Sequence, residues 1–172
     1  MIEILRKRRS IRKYKATAID SQALEVLKEA LLRSPSSRGI NPWTFIFVDQ
    51  KDLLAKLSLA KERGAEFVKD AALAVIVCGD DTKSDVWIED CSIASIVLQL
   101  VAESVGLGSC WSQIRQRSYS KEKSAEKYIQ ELLNLPGNIK VLSIIAIGIP
   151  AEAKTPVAKE RLDYAKIRSN KY

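Results

Sequence analysis

Apolar positions along the chain switch repeatedly between a helical and a strand rhythm. A short first helix is predicted over Ile2 to Arg9. Between Asp20 and Arg33, Leu24, Leu27 and Leu31 fall on one helical face. Asp20 is placed to cap that helix and Ile19 to pack back onto Leu24. Pro35, Gly39 and Pro42 then break the pattern into a loop. Phe45 to Val48 reads as a short buried strand, and Leu53, Leu54 and Leu57 mark another amphipathic helix. A second strand, Ala72 to Cys78, is rich in Val and Ile and ends at Gly79-Asp80-Asp81. From Asp85 to Val105 runs a long helix, apolar on nearly every side beyond Ile93, the mark of a helix central to a core. Gly106 suits its left-handed termination. A third strand is predicted over Ser109 to Ser112, a polar helix from Ser120 to Leu133, and a last strand from Val141 to Ile149.

Helices alternating with buried strands imply an α/β or α+β domain with helices on both faces of a sheet. The 172 residues, 47% hydrophobic and 28% charged, are read as one domain over 1–172 with a sizeable core. The tail is different. After Pro150, Leu162, Tyr164 and Ile167 alternate loosely with polar residues, so it is expected to be an arm that packs on another surface, such as a second subunit. The N-terminus is charged from Glu3 onward, with no secretory apolar segment. The apolar stretch from Ile93 to Gly108 is interrupted by Gln99 and Glu103, so no membrane span is expected. Cys78, Cys91 and Cys110 are far apart in apolar surroundings, which points to reduced thiols and a cytoplasmic protein.

The chain contains no histidine. That excludes Ser-His and Cys-His nucleophile pairs and His-ligated metals, so its chemistry must rest on carboxylates, Lys, Tyr or a cofactor. The net charge of +7 fits nucleic acid, a phosphorylated cofactor or substrate, or a merely solvated surface. Lys and Arg are spread along the chain and aromatics are only 6%, a pattern that disfavours nucleic acid. The sharper signal is local. Arg8-Arg9-Ser10-Ile11-Arg12 near the start and Lys159-Glu160-Arg161 near the end each space several donors around one anion. Guanidinium forks with a neutral hydroxyl suit a phosphoester. A second donor-rich stretch, Pro35-Ser36-Ser37-Arg38-Gly39-Ile40-Asn41-Pro42-Trp43, is a rigid loop that enters a strand; on its own it is equally an ordinary turn. Gly106-Leu107-Gly108-Ser109-Cys110-Trp111 is a helix-to-strand turn that lacks the dinucleotide fingerprint.

In order, these stretches resemble the nitroreductase family of flavin-dependent oxidoreductases. The resemblance is carried by Arg8, Arg9, Ser10 and Arg12; by Pro35, Ser36, Ser37, Pro42 and Trp43; and by the apolar helix running into Gly-Leu-Gly-Ser-Cys-Trp at Gly106 to Trp111. Leu135-Pro136, Gly148-Ile149-Pro150, and Lys159 with Arg161 complete it. It implies a three-layer α-β-α arrangement of the α+β class, with a central, mostly antiparallel sheet and a C-terminal arm packing on the partner subunit. It also implies FMN at a homodimer interface. Arg8, Arg9, Ser10 and Arg12 would hold the phosphate and the pyrimidine side of the flavin, with Lys159 and Arg161 completing the phosphate grip. The partner subunit would supply Ser36, Ser37 and Arg38, and Gly39 and Asn41 of that loop are further cofactor-binding positions. Trp111, Ser112 and Gln113 would pass beside the ring and offer a backbone N–H to N5. The implied activity is ping-pong transfer from NADH or NADPH to a small acceptor such as a nitroaromatic or quinone. Two departures mark this chain: Gly39 and Asn41 replace the family's Asn and Gln, and Gln113 and Arg115 replace its Gly and aromatic. They leave open a flavin-storing, -sensing or -degrading role, with a basic nucleic-acid module as a remoter alternative.

Overall fold

The computed structural model describes residues Met1 to Tyr172. Its frame is a four-stranded sheet of β1 (Trp43–Val48), β2 (Leu73–Asp80), β3 (Gly108–Gln113) and β4 (Ile139–Gly148). The strands lie in the order β1-β2-β4-β3, and every pairing is antiparallel. Five helices accompany it: α1 (Ile2–Lys7), α2 (Ser21–Leu32), α3 (Lys51–Leu57), α4 (Trp87–Ser104) and α5 (Ala125–Leu132).

Because successive strand residues face opposite ways, each central strand feeds two cores. In β2, Leu73, Val75 and Val77 pack with α2 and α4, whereas Ala74, Ile76 and Cys78 pack with α3 and α5. Both faces are therefore covered, which explains why β2 reads as a continuous apolar run. The expected three-layer α+β fold is the observed one. α4 supplies Cys91, Ala94, Leu98 and Ala102 to its layer, all fully buried; a Leu side chain so placed contributes about 1.5–3 kcal/mol.

β4 has one irregularity. Val77 pairs with Ser143 and Cys78 with Val141, so Leu142 is the extra residue of a β-bulge. The Leu142 carbonyl accepts both the Ile114 and the Arg115 N–H, at 3.1 and 3.0 Å, and so turns the chain away from the sheet just after β3. The Ser143 hydroxyl is buried there without a partner.

Strand ends shift by one or two residues from the sequence expectation, and three helices differ in ways with a local cause. α1 stops at Lys7, and Arg8 is already extended (φ −54°, ψ 128°). α4 begins at Trp87 rather than Asp85. The polar helix begins only at Ala125, where the Ser124 hydroxyl accepts the Lys127 N–H at 3.1 Å. Ser120 closes a separate turn by accepting the N–H groups of Glu122 and Lys123, a local alternative to helix that Ser favours. The tail makes two short turns, Lys159–Arg161 and Tyr164–Lys166, and is exposed throughout from Thr155 to Tyr172. No helix is long and apolar enough to cross a membrane.

Candidate cofactor site

The segment after α1 is held along the open edge of β3. Ser10 forms a parallel bridge with Ser109, and the Ile11 N–H donates to the Ser109 carbonyl at 3.0 Å. Glycine makes this close approach feasible. A Cβ on Gly108 would come within 2.9 Å of Ile11 Cβ, and one on Gly148 within 2.9 Å of the Tyr14 ring. Ile11 and Tyr14 are buried as a result, so the residues between and around them turn outward as donors.

Glu152 fixes the far side of this segment. Its carboxylate accepts the Arg12 and Lys13 N–H groups at 2.6 and 3.2 Å and lies 3.4 Å from Lys154 Nζ. These backbone hydrogen bonds, the Arg12 N–H foremost, hold the Glu152 carboxyl below the usual carboxylate range. Lys154 Nζ donates to the Ser10 carbonyl at 2.9 Å, and the Arg9 guanidinium donates to the Thr155 carbonyl. Arg9, Lys154 and Arg161 thus meet around a shallow pocket of about 440 Å³. Lys159 sits on the same turn as Arg161 but outside the pocket walls. Cys110, on β3 beside this segment, is buried. Burial pushes its thiol pKa up, while Arg12, the Ser10 hydroxyl, Lys154 and Arg8 pull it back.

β3 contributes its backbone. The Ser109 carbonyl points to the open edge, so period-two alternation turns the Trp111 and Gln113 N–H groups the same way. The side chains divide differently. Trp111 Nε1 donates to Gln113 Oε1 at 2.9 Å, and Gln113 Nε2 donates to the Arg115 carbonyl at 3.0 Å. Ser112 is buried and its hydroxyl donates to the Gly64 carbonyl at 3.2 Å, so its side chain is engaged in the fold.

The second predicted donor stretch lies elsewhere in the chain. Ser36 Oγ donates to Asn41 Oδ1 at 2.6 Å and accepts the Asn41 N–H at 3.0 Å. The Ser37 N–H donates to the buried Asp90 carboxylate at 2.8 Å, and Arg38 pairs with Asp85. Arg38, Gly39 and Asn41 all have left-handed backbone (φ 55°, 65° and 52°). Only Gly39 adopts that conformation without side-chain cost. Within one chain this loop shares no hydrogen bond or ion pair with the Arg8–Arg12 segment.

Sequence reasoning missed three participants. Lys154 takes the inner position assigned to Lys159; its signal was an isolated Glu152-x-Lys154 just after the last strand. Phe67 carries the Arg12 guanidinium 5.7 Å above its ring. Lys61 packs over Gly64 beside β3, and burial, then nearby Arg117, lowers its pKa. Neither Lys61 nor Phe67 carried a sequence signal, because α3 and its following turn reach β3 only through the fold.

The donor set fits a phosphorylated flavin. Arg8, Arg9, Ser10, Lys154 and Arg161 suit a dianionic phosphate, and the one opposing carboxylate, Glu152, is occupied by backbone N–H groups and Lys154. The outward N–H groups of β3 suit the polar edge of a ring.

The fold is thus an α+β sheet with helices on both faces and a cationic pocket at one open strand edge. The Nitroreductase family model matches residues 5–149, and the chain belongs to that family. It is 44% identical, over the full length of both chains, to an FMN-dependent nitroreductase from Clostridium difficile R20291, with a TM-score of 0.98. It is 34% identical over 175 residues to a Methanothermobacter thermautotrophicus protein with the provisional name NADH dehydrogenase/NAD(P)H nitroreductase, covering 100% of this chain and 87% of that protein. The NADPH:FMN oxidoreductase of Vibrio harveyi is 26% identical, with a TM-score of 0.80 over 99% of this chain and 77% of its own.

Proposed function

We propose that this protein is an FMN-dependent NAD(P)H oxidoreductase that acts as a homodimer, with residues 1–172 forming one cofactor-binding domain. The observation that carries the reading is the Arg8–Arg12 segment bridged to β3 at Ser109, with Lys154 donating to the Ser10 carbonyl and Arg9 to the Thr155 carbonyl, beside outward-facing strand N–H groups. Bound FMN would take hydride from NADH or NADPH and pass it to a small acceptor such as a nitroaromatic or quinone, in ping-pong fashion.

The chain's residues divide the remaining work. Arg8, Arg9, Ser10 and Lys154, with Arg161 and Lys159 from the tail, hold the phosphate. Arg12 supplies a positive charge toward the pyrimidine side and favours negative charge there. The Gln113 N–H provides a fixed donor beside the ring. This division requires no side-chain acid or base, in keeping with a chain that lacks histidine.

The dimer reading rests on unpartnered apolar surface. Ile93 and Ile96 on α4 are each 39% exposed, and Leu162, Tyr164 and Ile167 project from the arm. The open β1 edge carries an apolar groove of about 560 Å³ lined by Leu31, Leu32, Trp43, Phe45 and Phe47. Pairing two chains would cover these surfaces and bring Ser36, Ser37, Arg38, Gly39 and Asn41 of the second chain toward the first chain's site. Three buried free thiols accord with a reducing, cytoplasmic setting.

The visible spectrum of the purified protein tests this reading, followed by NADPH addition without air. Flavin bands that bleach support it. A protein that neither carries nor takes up FMN overturns it, and a yellow protein that stays oxidised reduces it to flavin binding alone.

A further inference from the structure

A second concavity, of about 520 Å³, opens between residues 13–18, the start of α3 and the turn Glu66–Asp70. Five cations line it: Arg12, Lys13, Lys15, Lys51 and Lys69. They face only two carboxylates, Asp49 and Asp70. None of these seven groups is in an ion pair. The charges come from three separate stretches of chain, which is why they look scattered in the sequence.

The rest of the lining gives them no partner. Tyr14, Leu54 and Ala71 form a buried floor, and the Tyr14 hydroxyl already donates to the Ile11 carbonyl at 2.5 Å. In the wall, the Ala16 and Ala18 N–H groups have no protein acceptor. Like charges that outnumber their counter-charges repel one another, and a multivalent anion relieves that repulsion at several of them at once. Phosphate suits a mixed Arg and Lys set, because Arg provides a fork and Lys mobile point charges. The volume falls in the range of about 300–1,000 Å³ typical of small-ligand sites, and Ala16, Ala18 and Ala72 in the lining offer accessible apolar surface to an organic group.

We propose that this cleft binds a phosphorylated small molecule, its phosphate held by Lys13, Lys15 and Lys69 and its organic part resting against Ala16, Ala18 and Ala72. Nucleic acid fits less well, since Tyr14 is the only aromatic in the lining and is buried, leaving no platform for stacking bases. Only Arg12 is shared with the flavin reading, so the two proposals stand or fall separately.

Calorimetric titration with inorganic pyrophosphate and with adenosine 2′,5′-bisphosphate, in the presence of one equivalent of FMN, tests the cleft. Binding should weaken as ionic strength rises and weaken about tenfold or more in the Lys15→Ala, Lys69→Ala double variant. The variant's melting temperature and flavin content serve as the check that it is folded. Tighter binding of the bisphosphate than of pyrophosphate assigns a nucleotide as the ligand; equal binding assigns a phosphate group irrespective of its carrier. Absence of binding by both, or binding unchanged in a folded double variant, overturns the proposal. So does a single-stranded oligonucleotide that binds and excludes pyrophosphate.

Discussion

The buried Asp90 carboxylate, in the first turn of α4, accepts the Ser37 N–H at 2.8 Å and so pins the donor loop between α2 and β1 to the core. Its second oxygen lies 3.5 Å from the Ser84 hydroxyl. Asp90→Ala leaves a half-buried N–H without its acceptor, at a cost of about 1 kcal/mol. The melting temperature should fall, and FMN affinity should fall further than stability alone accounts for, because the loop loses its anchor. Asp90→Asn, which keeps an acceptor oxygen, should recover most of both. Thermal unfolding and flavin titration of the two variants decide the point; equal behaviour of Ala and Asn would contradict it.

Gly108 is the floor on which Ile11 rests. A Cβ there meets Ile11 Cβ and Cγ2 at 2.9 Å, close to the backbone and unable to swing away. Gly108→Ala should destabilise the protein by about 1–3 kcal/mol through overpacking. It should also lift the Arg8–Arg12 segment off β3. Flavin affinity is expected to drop even where the variant remains folded, as read by equilibrium dialysis below its melting temperature.

In the proposed phosphate grip, Lys154 supplies its charge from within the fold rather than from the tail. Lys154→Ala should raise the FMN dissociation constant at least about tenfold, the scale of one charge-assisted hydrogen bond. Lys159→Ala should have the smaller effect, since Lys159 lies outside the pocket walls. The reverse order would return the phosphate grip to the terminal Lys159-x-Arg161 pair.

Glu152 should make part of the stability depend on pH. Its native carboxyl is held below the usual range, first by the Arg12 N–H, so the unfolded chain binds the proton more readily. The resulting stabilisation is complete above the unfolded value of about 4.3 and is lost as pH falls through the lower native value. Wild type should therefore melt above Glu152→Gln at neutral pH, and the gap should close in acid. A gap that stays constant with pH would assign the Glu152 effect to packing.

Much of this architecture is legible along the chain. The helical and strand rhythms, the Asp20 cap and the left-handed Gly106 follow from local rules, and all appear in the fold. The Arg8–Arg12 and Ser36–Asn41 donor stretches are likewise local, since short-range spacing alone brings their donors together. The missed boundary at Ser120 has a local cause too: a Ser hydroxyl can close a turn as readily as cap a helix.

What the sequence determined by itself was the set of elements, the covered two-faced sheet, the two cationic donor stretches and the exclusion of histidine chemistry. Only the tertiary structure decided which groups meet. The β4 bulge at Leu142 turns the chain outward after Gln113; Ser112 spends its hydroxyl on Gly64; Lys154 takes the inner place beside Ser10; and Lys13, Lys15, Lys51 and Lys69 come to face one cleft. The reason is physical. Backbone rhythm is set by neighbours a few positions away, whereas strand register and long-range side-chain placement are set by packing between segments distant in the chain.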